Sequence, residues 1–488
     1  MRLSELLRGA GLVMPNGVCD SEITGVSANS ADICQGMVFV AIRGLRYDGF
    51  CYVEEAFSRG AVLVISERQA EGVPCAVVDN ARKAWANLLN TWYDNPTKNM
   101  KLIGITGTNG KTSTATMLYE ILRRAEIHCG LIGTVDCLLD GQRLGKEQGE
   151  TLANMTTPDP SELYALLAQM RDKGATHVVM EVTSHALALS KVSPLCFERA
   201  VFTNLTRDHL DLHGDMESYF QEKRKLFQKA RGAVVSCLDA YGQRLADGLE
   251  IPLQRLEREN ITSLEMRGVQ GSSFTLICDG GEKITITLPV AGDFSVENAA
   301  LAALTARSLG VHAATVIGAL HDFGGVRGRM ERVSDAEATA VFLDYAHTPD
   351  ALERLLTSVR GFRKKEQRII LVFGCGGDRD RGKRAEMGRI ASRLADLTVI
   401  TSDNCRGEDP QAILRDILKG MDKEKPYKVI CDRAEAIAYA VGVAQKEDIL
   451  LLTGKGHETY EIRGRQRLCF NERETVRDCL RRRAEGTL

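Results

Sequence analysis

The sequence predicts an α/β fold with more than one domain, and three observations support this prediction. The chain has 488 residues, more than one hydrophobic core usually serves, so two to four domains are expected. Short apolar runs alternate with segments of helical periodicity, which is typical of parallel sheets covered by helices. A glycine-rich turn at residues 107–110 joins one such apolar run to one such helix, as in phosphate-binding loops.

Composition indicates an ordinary globular protein. Hydrophobic residues make up 44% and charged residues 26%, and the formal net charge of −2 gives no basic excess for nucleic acid. No apolar stretch approaches the roughly 18–20 residues needed to span a bilayer, and Glu5 and Arg8 interrupt the apolar pattern of the N-terminus. The 14 cysteines include no C-x-x-C pair, which favours a reducing compartment. We therefore expect a soluble, cytoplasmic, monomeric protein with no nucleic-acid partner and no membrane span.

The first hundred residues predict a small α/β domain. Apolar runs alternate with helical patterns at 52–60 and 81–93, and the runs are "MVFVAI", "AVLVIS" and "CAVV". The segment "DNPTKN" at 94–99 carries turn-forming residues and is predicted to be a linker.

The next two hundred residues predict a second unit that begins at Lys101. Its strand candidates include "HVVMEV", "RAVFTNL" and "GAVVSCL". Two alternating apolar and polar runs flank Asp279-Gly280-Gly281, which predicts a hairpin. Residues 297–310 predict a helix that a glycine ends.

A third unit begins where glycine density rises, at 324–333. Its predicted strands are "AVFLDYA", "RIILVFGCGG", "LTVITSD", "YKVICD" and "DILLLTGKG". Apolar strands separated by helices predict a mostly parallel, covered sheet, whose ligands gather at the carboxyl ends of its strands. The polar clusters "DYAH", "GCGGDRD", "SDNCR" and "GKGHE" fall at those ends.

The segment "KLIGITGTNGKTSTATMLYEIL", residues 101–122, carries the strongest chemical signal. Glycines at 107 and 110 let backbone N–H groups approach phosphate oxygens, Lys111 can contact the terminal phosphates, and the Thr112 hydroxyl can ligate magnesium. The usual pattern G-x-x-x-x-G-K-[ST] requires glycine at 105, where this chain has Ile105. The alternative is a glycine turn that enters a helix with a surface lysine.

Three further residues have ambiguous local patterns. Glu181 follows an apolar run and suits magnesium, but a surface glutamate at a strand end fits equally well. His209 also follows an apolar run, where a structural histidine is the simpler interpretation. Lys223 lies in the charged helical run "MESYFQEKRKLFQ", and this pattern alone predicts a solvated lysine.

The third unit carries a cluster of mixed charge. Arg379, Lys383 and Arg384 follow a glycine corner, and Asp403, Asn404 and Arg406 follow two dozen residues later. Guanidinium groups bind carboxylates bidentately and carboxylates bind ammonium, so the cluster suits a zwitterion such as an amino acid. The alternative is a set of turn-capping residues with exposed arginines.

Taken together and in order, ten motifs resemble the Mur ligase family of bacterial cell-wall synthesis: "GITGTNGKT", "TTPDP", "MEVTSHAL", "VFTNLTRDHLDLHG", "YFQEKRKLF", "GRME", "DYAHTPDAL", "FGCGGDRDRGKR", "DNCRGEDP" and "GKGHETY". The resemblance covers essentially the whole chain, and the family's shortened loop G-T-x-G-K-[ST] needs no glycine at 105. It implies three domains: an N-terminal uridine-nucleotide domain at 1–98, a central ATPase domain with a mostly parallel sheet at 99–326, and a C-terminal Rossmann-like domain that binds the amino acid at 327–488.

The resemblance also implies cofactors and the residues that hold them. It implies Mg²⁺ and ATP as co-substrate, with catalytic roles for Lys111, Lys223, Glu181 and His209. Lys223 stands where the family's lysine is carbamylated to N6-carboxylysine, which turns an ammonium into a metal-binding carboxylate. The implied metal ligands are Thr112, Glu181, His209 and carbamylated Lys223. The implied ATP-binding residues are Thr106, Gly107, Thr108, Asn109, Gly110, Lys111, Thr112, Asn298, Arg329 and Asp344.

Two substrate sites are implied in the same way. For a UDP-N-acetylmuramoyl dipeptide the corresponding residues are Ser30, Asn154, Thr156, Thr157, Ser184 and Lys191. For meso-2,6-diaminopimelate they are Arg379, Asp403, Asn404, Arg406, Gly454 and Glu458.

Four departures from the family pattern are visible. The first-domain D-S-R reads Asn29-Ser30-Ala31, Leu189 replaces a glutamine, and Lys191 replaces an arginine, which keeps the charge but loses the bidentate fork. D-N-P-R reads Asp403-Asn404-Cys405-Arg406. Because the arginine that pairs with the distal carboxylate remains, we expect diaminopimelate rather than L-lysine as acceptor.

The implied reaction is ATP-driven amide formation through an acyl phosphate, with a hinge near 324–329. Two rival functions are a folylpolyglutamate synthase, which shares the loop and the acyl-phosphate chemistry, and a nucleotide-dependent binding module without catalysis. The long first domain and the clusters "DNCRGEDP" and "GKGHE" argue against the first rival. The density of acids and bases in the third unit argues against the second.

Overall fold

The computed structural model describes residues 1–44, 47–144, 155–334 and 339–488. It forms two compact units by contact: unit 1 comprises 1–107, 122–203 and 209–255, and unit 2 comprises 108–121, 204–208 and 256–488. The chain passes from unit 1 to unit 2 between Gly107 and Thr108. Within the described residues, no helix has both the length and the apolar character that crossing a membrane requires.

Unit 1 begins with a four-stranded parallel sheet in the order β1-β2-β3-β4. Its strands are β1 (Gly25–Ser27), β2 (Met37–Val40), β3 (Leu63–Ser66) and β4 (Cys75–Val77), and its helices are α1 (Leu3–Gly9), α2 (Val53–Ser58) and α3 (Ala81–Trp92). The predicted apolar runs become β2, β3 and β4. The short strand β1 was not predicted, because it contains one glycine and one serine among three residues.

The second sheet of unit 1 has eight strands in the order β12-β11-β10-β5-β9-β6-β7-β8. They are β5 (Lys101–Thr106), β6 (Cys129–Ile132), β7 (Cys137–Leu139), β8 (Gln142–Arg143), β9 (His177–Glu181), β10 (Arg199–Phe202), β11 (Ala233–Ser236) and β12 (Leu253–Leu256). The central pairs are parallel, as the continuous apolar runs predicted. The helices of this part of unit 1 are α5 (Pro160–Asp172), α6 (Ser184–Ala188), α7 (Leu210–His213), α8 (Met216–Arg224) and α9 (Ala240–Asp247). Helix α4 (Lys111–Arg124) follows β5 in the chain, and its residues up to Ile121 belong to unit 2.

Unit 2 contains the predicted hairpin as part of a three-stranded antiparallel sheet. Its strands are β13 (Ile261–Met266), β14 (Ser272–Ile277) and β15 (Lys283–Leu288), and β13 was not predicted. Next come α10 (Asp293–Ser308) and α11 (Ala313–His321). Gly310 follows α10 with φ of 88°, a left-handed conformation that suits glycine and ends the helix as predicted.

The six-stranded sheet of unit 2 carries the polar strand ends. Its order is β16-β17-β21-β18-β19-β20, with β16 (Glu331–Arg332), β17 (Ala340–Asp344), β18 (Ile369–Phe373), β19 (Leu397–Ile400), β20 (Tyr427–Val429) and β21 (Ile449–Thr453). All pairs except β16 with β17 are parallel. Helices α12 (Pro349–Phe362), α13 (Gly382–Leu394), α14 (Pro410–Leu418), α15 (Arg433–Val443) and α16 (Glu472–Ala484), with the hairpin β22 (Tyr460–Arg463) and β23 (Gln466–Cys469), complete the unit.

Both faces of this sheet are buried. Ile369, Leu371 and Phe373 of β18 pack into one apolar cluster, whereas Ile370 and Val372 pack into another. Successive side chains of a strand point to opposite faces, so a continuous apolar run is required. The carboxyl ends of the neighbouring strands β17, β21, β18 and β19 therefore share one edge, where the predicted polar clusters lie.

Candidate active site

The predicted phosphate loop lies between β5 and α4. Ile105 is a fully buried strand residue, which explains why the loop starts two residues later than the usual pattern. The Thr106 carbonyl, at the end of β5, accepts a hydrogen bond from the backbone N–H of Thr203. Gly110 has φ of 83°, and a Cβ there would lie 2.3 Å from Oδ1 of Asn298. Only glycine fits this position without displacing Asn298.

The side chains that follow the loop lie at the start of α4 in unit 2. Lys111 Nζ donates to the Thr108 carbonyl at 2.9 Å, and Thr112 is 6% exposed. Arg329 Nη2 donates to Thr112 Oγ1 at 3.4 Å. Thr114 Oγ1 donates to Asn298 Oδ1 at 3.2 Å. Two candidate ATP residues, Lys111 and Thr112, thus lie at the start of α4. Two more, Arg329 and Asn298, contact the same part of the helix through Thr112 and Thr114.

Three residues that the sequence analysis missed support the loop. The backbone N–H of Asn109 donates to Oδ1 of Asn204 at 2.9 Å. The Asp350 carboxylate accepts from Nδ2 of Asn109 at 3.0 Å and from Oγ1 of Thr206 at 2.8 Å. Because these bonds hold both backbone and side chain of Asn109, they fix the loop before any nucleotide binds.

Asp344 lies at the carboxyl end of β17. Its two oxygens accept from the backbone N–H groups of Met330 and Ala346, both at 2.8 Å. Burial raises the pKa of the Asp344 carboxyl, and the charge of Arg329 opposes this rise. The Arg329 guanidinium also lies 4.8 Å from the centroid of the Tyr345 ring. A half-buried carboxylate beside a guanidinium suits a hydrogen bond to a sugar hydroxyl or a similar donor.

A cluster of rings surrounds this position and was also missed. The Tyr345 ring lies 4.7 Å from His347 and 5.1 Å from His457 between centroids. Burial and the charges of Arg329 and Arg327 lower the pKa of His457 to about 4. Burial and the charge of Lys383 likewise lower the pKa of His347. Both histidines are therefore neutral at physiological pH.

Glu181 is buried at the end of β9 in unit 1. Its carboxylate accepts from the Thr134 backbone N–H at 2.8 Å and from Thr134 Oγ1 at 3.0 Å. The Thr156 hydroxyl lies 3.0 Å from Thr134 Oγ1 and can donate to it, and Thr157 Oγ1 donates to the Glu181 carbonyl at 2.9 Å. Glu181 is 1% exposed, so its interpretation as a surface glutamate is wrong.

The histidine candidate lies in a second ring cluster of unit 1. His209 has φ of 53°, and its ring contacts that of His185 at 4.8 Å between centroids. His213 stacks on Tyr219 at 5.0 Å, and its Nε2 lies 2.9 Å from Oγ of Ser184. The fold thus places His185 next to the candidate residue His209, and His213 next to the candidate residue Ser184.

Lys223 contradicts the interpretation from its local pattern. The side chain is 2% exposed, its Nζ donates to the Gly107 carbonyl at 2.8 Å, and the same atom lies 4.5 Å from the Tyr219 ring centroid. The prediction of a solvated lysine is therefore wrong. It failed because the charges of "QEKRK" lie on different faces of α8, and position 223 faces the protein interior.

The candidate residues for the nucleotide-linked substrate are held in different ways. Lys191 is 5% exposed, and its Nζ pairs with Asp159 Oδ1 at 2.8 Å and donates to the Thr157 carbonyl at 3.3 Å. Ser30 follows β1 and its hydroxyl donates to Glu55 at 3.3 Å. Asn154 lies outside the described residues.

The polar ends of β19 and β21 form what we call the acceptor cluster, defined as Asp403, Asn404, Lys455 and Glu458. Fully buried Lys455 lies 3.2 Å from Asp403 Oδ1 and donates to Asn404 Oδ1 at 3.2 Å. Asn404 Nδ2 donates to Glu458 Oε2 at 2.8 Å. Burial would raise the pKa of Asp403, but Lys455 and Arg433 lower it overall. Burial and the Asp403 charge raise the pKa of Glu458.

Gly454 and a second buried ion pair, Arg433 with Glu472, adjoin the acceptor cluster. Gly454 has φ of 109°, and a Cβ there would lie 3.4 Å from Asp403 Oδ2. Arg433 is buried, pairs with Glu472 at 2.6 Å, and donates to the carbonyls of Ser402 and Thr453. These two carbonyls precede the cluster residues of β19 and β21, so Arg433 ties the two strand ends together.

The three arginine candidates differ in their partners: Arg406 and Arg379 donate to backbone carbonyls, whereas Arg384 pairs with two carboxylates. Arg406 has φ of 50°, and its Nη1 donates to the Gly377 and Asn404 carbonyls at 3.0 and 3.3 Å. Arg379 is exposed and its Nη1 donates to the Asp378 carbonyl. Arg384 is fully buried between Glu408 and Asp416. Its inclusion in a zwitterion site is therefore wrong, because its guanidinium is occupied by two structural carboxylates.

Cys405 stands where the family pattern has proline. Its side chain is 4% exposed, and its Sγ lies 3.7 Å from the Ile462 carbonyl. Burial raises the pKa of the Cys405 thiol. The neighbouring backbone N–H of Arg406 donates to the same carbonyl at 3.1 Å. The hairpin that contains Ile462 thus contacts both residues of this turn.

The described residues contain no group of three His, Cys, Asp or Glu side chains that could hold a metal ion. Magnesium usually takes one or two protein oxygens and completes its shell with water and substrate phosphates. The Glu181 carboxylate in unit 1 and the Thr112 hydroxyl in unit 2 are each hard oxygen donors that fit this use. The Lys223 ammonium does not fit, whereas its carbamate would.

Sequence signals for the missed residues differ in strength. Lys455 lies between two glycines at a predicted strand end, in the quoted motif "GKGHE", and could have been selected. Asp350 and Arg433 lie in the first turns of helices, where acidic and polar residues are ordinary. Nothing in the local sequence separates them from such residues.

Three family profiles match the chain. The profile described as "Mur ligase family, catalytic domain" matches residues 22–93, "Mur ligase middle domain" matches 105–306, and "Mur ligase, glutamate ligase domain" matches 328–456.

Two curated relatives are named UDP-N-acetylmuramoyl-L-alanyl-D-glutamate–2,6-diaminopimelate ligase. The relative from Gloeobacter violaceus (strain ATCC 29082 / PCC 7421) is 42% identical and covers 100% of this chain and 99% of its own. The relative from Clostridioides difficile (strain 630) is 38% identical, with coverage of 98% and 99%.

Two solved structures are similar over most of the chain. A structure titled with the same ligase name has a TM-score of 0.69 at 29% identity and covers 98% of this chain and 99% of its own. Folylpolyglutamate synthase from Mycobacterium tuberculosis, complexed with ADP and AMPPCP, has a TM-score of 0.63 at 19% identity, with coverage of 76% and 91%. At that identity the second likeness shows the fold alone.

Proposed function

This chain belongs to the Mur ligase family, and from that premise we propose that it joins meso-2,6-diaminopimelate to UDP-N-acetylmuramoyl-L-alanyl-D-glutamate at the expense of ATP. The observation that carries the proposal is the acceptor cluster, a set of paired charges on the same unit as the Lys111 end of the phosphate loop. The names of relatives at 38–42% identity over the full length of the chain support the same reaction.

In the first step, an oxygen of the substrate's D-glutamyl carboxylate attacks the γ-phosphorus of ATP. The bond from that phosphorus to the β,γ-bridging oxygen breaks, and the products are an acyl phosphate and ADP. Lys111 would leave the Thr108 carbonyl to contact the phosphates, and Arg329, which donates to Thr112 of α4, would contact them as well. Both cations offset the repulsion between the anionic carboxylate and the triphosphate.

In the second step, a neutral amine of the acceptor attacks the activated carbonyl carbon. The tetrahedral intermediate collapses, the C–O bond to phosphate breaks, and an amide and inorganic phosphate remain. The amine loses one proton in this step. A free carboxylate is a poor electrophile, so phosphorylation has to come first.

The acceptor cluster supports recognition of a zwitterion. The carboxylates of Asp403 and Glu458 suit the ammonium of the amino acid, and Arg406 suits its distal carboxylate. L-Lysine, the alternative acceptor, would leave Arg406 unpaired beside an ammonium. That loss corresponds to a discrimination of roughly 10²–10³.

Magnesium, when bound, would screen the phosphate charges, and the Thr112 hydroxyl beside Lys111 is a hard oxygen that could ligate it. Glu181 stays a proposed magnesium ligand on its own unit. Lys223 has a defined role only if it is carbamylated, since CO₂ adds to a neutral amine and leaves a carboxylate. The catalytic role proposed for His209 would be carried out in the ring cluster of unit 1 that also contains His213 and borders Ser184. We also propose that the protein works as a cytoplasmic monomer.

One experiment tests the proposal. Purified protein is supplied with ATP, Mg²⁺ and UDP-N-acetylmuramoyl-L-alanyl-D-glutamate, and phosphate release and product mass are measured with diaminopimelate, L-lysine or L-glutamate as acceptor. We expect diaminopimelate to stimulate release by at least about 10²-fold over lysine. Stimulation by glutamate instead would favour a folylpolyglutamate synthase. Slow hydrolysis that no amine stimulates would favour a non-catalytic nucleotide-binding module.

A further inference from the structure

A cavity in unit 1 is separate from all the candidate residues described above. Its volume is about 420 Å³, and it is lined by Gly9–Gly11 at the end of α1, by Lys83, Asn87 and Asn90 of α3, and by Ser193, Pro194 and Lys229. Residues 83, 87 and 90 are spaced by four and three positions, so they lie on one helix face. This volume lies within the range of small-molecule sites.

Two lysines give one side of the cavity a positive charge. Lys83 is exposed, and Lys229 is half-buried with its Nζ donating to the Ser193 carbonyl. No carboxylate lines the cavity, and among the described residues neither ammonium has an acidic partner within salt-bridge distance. Burial lowers the pKa of Lys229, nearby Cys196 opposes this change, and the charge of Lys83 adds to it. An anion would relieve this repulsion between like charges.

The other side of the cavity offers hydrogen-bond acceptors. Asn87 Nδ2 donates to the Ala10 carbonyl at 3.4 Å, and Asn90 Nδ2 donates to Oδ1 of Asn95 at 2.8 Å. Each amide uses one of its two N–H groups on the protein, and its oxygen remains as an acceptor. A ligand that fits both sides would carry an anionic group at one end and hydroxyl or amino groups at the other.

The cavity wall is continuous with a candidate substrate residue. Ser193 is two residues from Lys191, and its backbone N–H donates to the Ser190 carbonyl at 3.1 Å. The Lys191 backbone carbonyl accepts from the hydroxyl of Tyr164 at 3.1 Å, and its Nζ pairs with Asp159. A ligand that draws Lys229 away from the Ser193 carbonyl would alter this turn and, through it, the position of Lys191.

We propose that this cavity is an effector site for a small phosphate ester that carries hydroxyl or amino groups. Binding there changes the affinity for the nucleotide-linked substrate through the turn 190–194. The binding site stands on the cavity and its charges alone. The regulatory part rests on the function proposed above.

Calorimetric titration tests the site. The Lys111→Ala protein is used, so that binding of phosphate groups at the phosphate loop is weakened, and the probes are glucose 6-phosphate, inorganic phosphate and glucose. We expect glucose 6-phosphate to bind more tightly than phosphate, and glucose to give no measurable heat. Adding Lys83→Met or Lys229→Met should weaken glucose 6-phosphate binding at least about tenfold, because each removes a charge-assisted hydrogen bond.

The matched control is Lys173→Met, an exposed lysine of the same unit that does not line the cavity. Because Lys83 is exposed, its variant should keep the wild-type melting temperature even if Lys229→Met does not. Equal affinity in the Lys83, Lys229 and Lys173 variants, equal affinity for glucose, or no binding at all would each overturn the site.

Kinetics test the regulatory part separately. In the wild-type enzyme, saturating glucose 6-phosphate should change KM for the nucleotide-linked substrate at least about threefold and leave KM for ATP within about twofold. The change should disappear in Lys83→Met. Unchanged KM in a protein that binds the probe would refute the regulatory role. A protein that binds the probe but has no ligase activity would refute the proposed function and leave the site in place.

Discussion

Residues 108–112 of the phosphate loop and the acceptor cluster belong to the same unit but hold their charged groups in opposite ways. The Lys111 ammonium donates to a neutral carbonyl of its own loop, that of Thr108. The Lys455 ammonium, in contrast, is fully buried between Asp403, Asn404 and Glu458. A cation that donates to a neutral carbonyl of its own loop can turn to an incoming phosphate, whereas a cation paired with buried carboxylates fixes their orientation. Substitution at the loop should therefore affect chemistry more than folding, and substitution in the cluster should affect both.

The largest expected effect is at the loop. Lys111→Ala should lower ATP turnover by about 10³–10⁵-fold, the range for loss of a cation that stabilises a transferring phosphoryl group. Its melting temperature should fall less than that of Lys455→Met, because the hydrogen bond to the Thr108 carbonyl is local and its acceptor is neutral. Phosphate release and thermal unfolding measure the two quantities. Lys101→Ala, an exposed lysine at the start of β5, is the control, and a large loss of stability in Lys111→Ala would break the contrast.

The acceptor cluster should respond in the other way. Lys455→Met leaves the buried Asp403 carboxylate without its nearest cation, which costs about 3–5 kcal/mol when one partner of a buried pair is removed. Urea unfolding should show this loss, and the activity that remains should have a raised KM for the acceptor. Lys423→Met, at an exposed position of the same unit, should show neither change. Wild-type stability in Lys455→Met would mean that the cluster is not held by charge.

A third lysine, Lys223, sharpens the contrast, because it is buried and is expected to work only after modification. Lys223→Ala should lower activity by about 10²-fold or more, since a charged ligand near the phosphates is lost. Added acetate or formate should restore part of this activity by occupying the place of the carbamate. Rates are measured with and without the acid, with Lys225→Ala as the exposed control. Full activity in Lys223→Ala without any added acid would refute the carbamate.

Arg406→Ala tests whether the arginine next to the acceptor cluster binds the amino-acid substrate. Loss of a guanidinium–carboxylate pair should raise KM for diaminopimelate by about 10–10²-fold and leave KM for ATP nearly unchanged. Steady-state kinetics with each substrate varied in turn give both values. Arg415→Ala, an exposed arginine of α14, should change neither. Equal increases in both constants would remove Arg406 from the acceptor site.

The smallest effect concerns pH. Burial and Asp403 raise the pKa of Glu458 in the folded state, so the unfolded chain releases this proton first. The wild type should then lose stability as pH rises from the ordinary glutamate pKa, about 4.5, to the higher folded value. The side chain of the Glu458→Gln variant stays neutral at every pH and should lack this loss. The unfolding free energy of the variant minus that of the wild type should therefore increase across that interval. A difference that is the same at pH 4 and pH 7 would contradict the pKa shift.

The sequence predicted the two regions unequally well. The loop is contiguous, so residues 107–112 could be identified from spacing alone, and the strand ends that carry Asp403, Arg406 and Glu458 followed from apolar runs. Partners that come together only in three dimensions could not be identified: Asp350 with Asn109, and Arg433 with the ends of β19 and β21. Local charge density was misleading at two positions. Lys223 and Arg384 both lie in basic runs, and both are buried because the helix, rather than the composition, decides which face is solvated.

The cysteine at position 405 has a practical consequence. Alkylating reagents attack thiolates, and this thiol is both shielded and difficult to ionise. Labelling at neutral pH should therefore reach the exposed thiols of Cys19, Cys34, Cys51, Cys196 and Cys469 first. Spectroscopic reporters could be attached at those positions while the turn next to Arg406 stays chemically untouched.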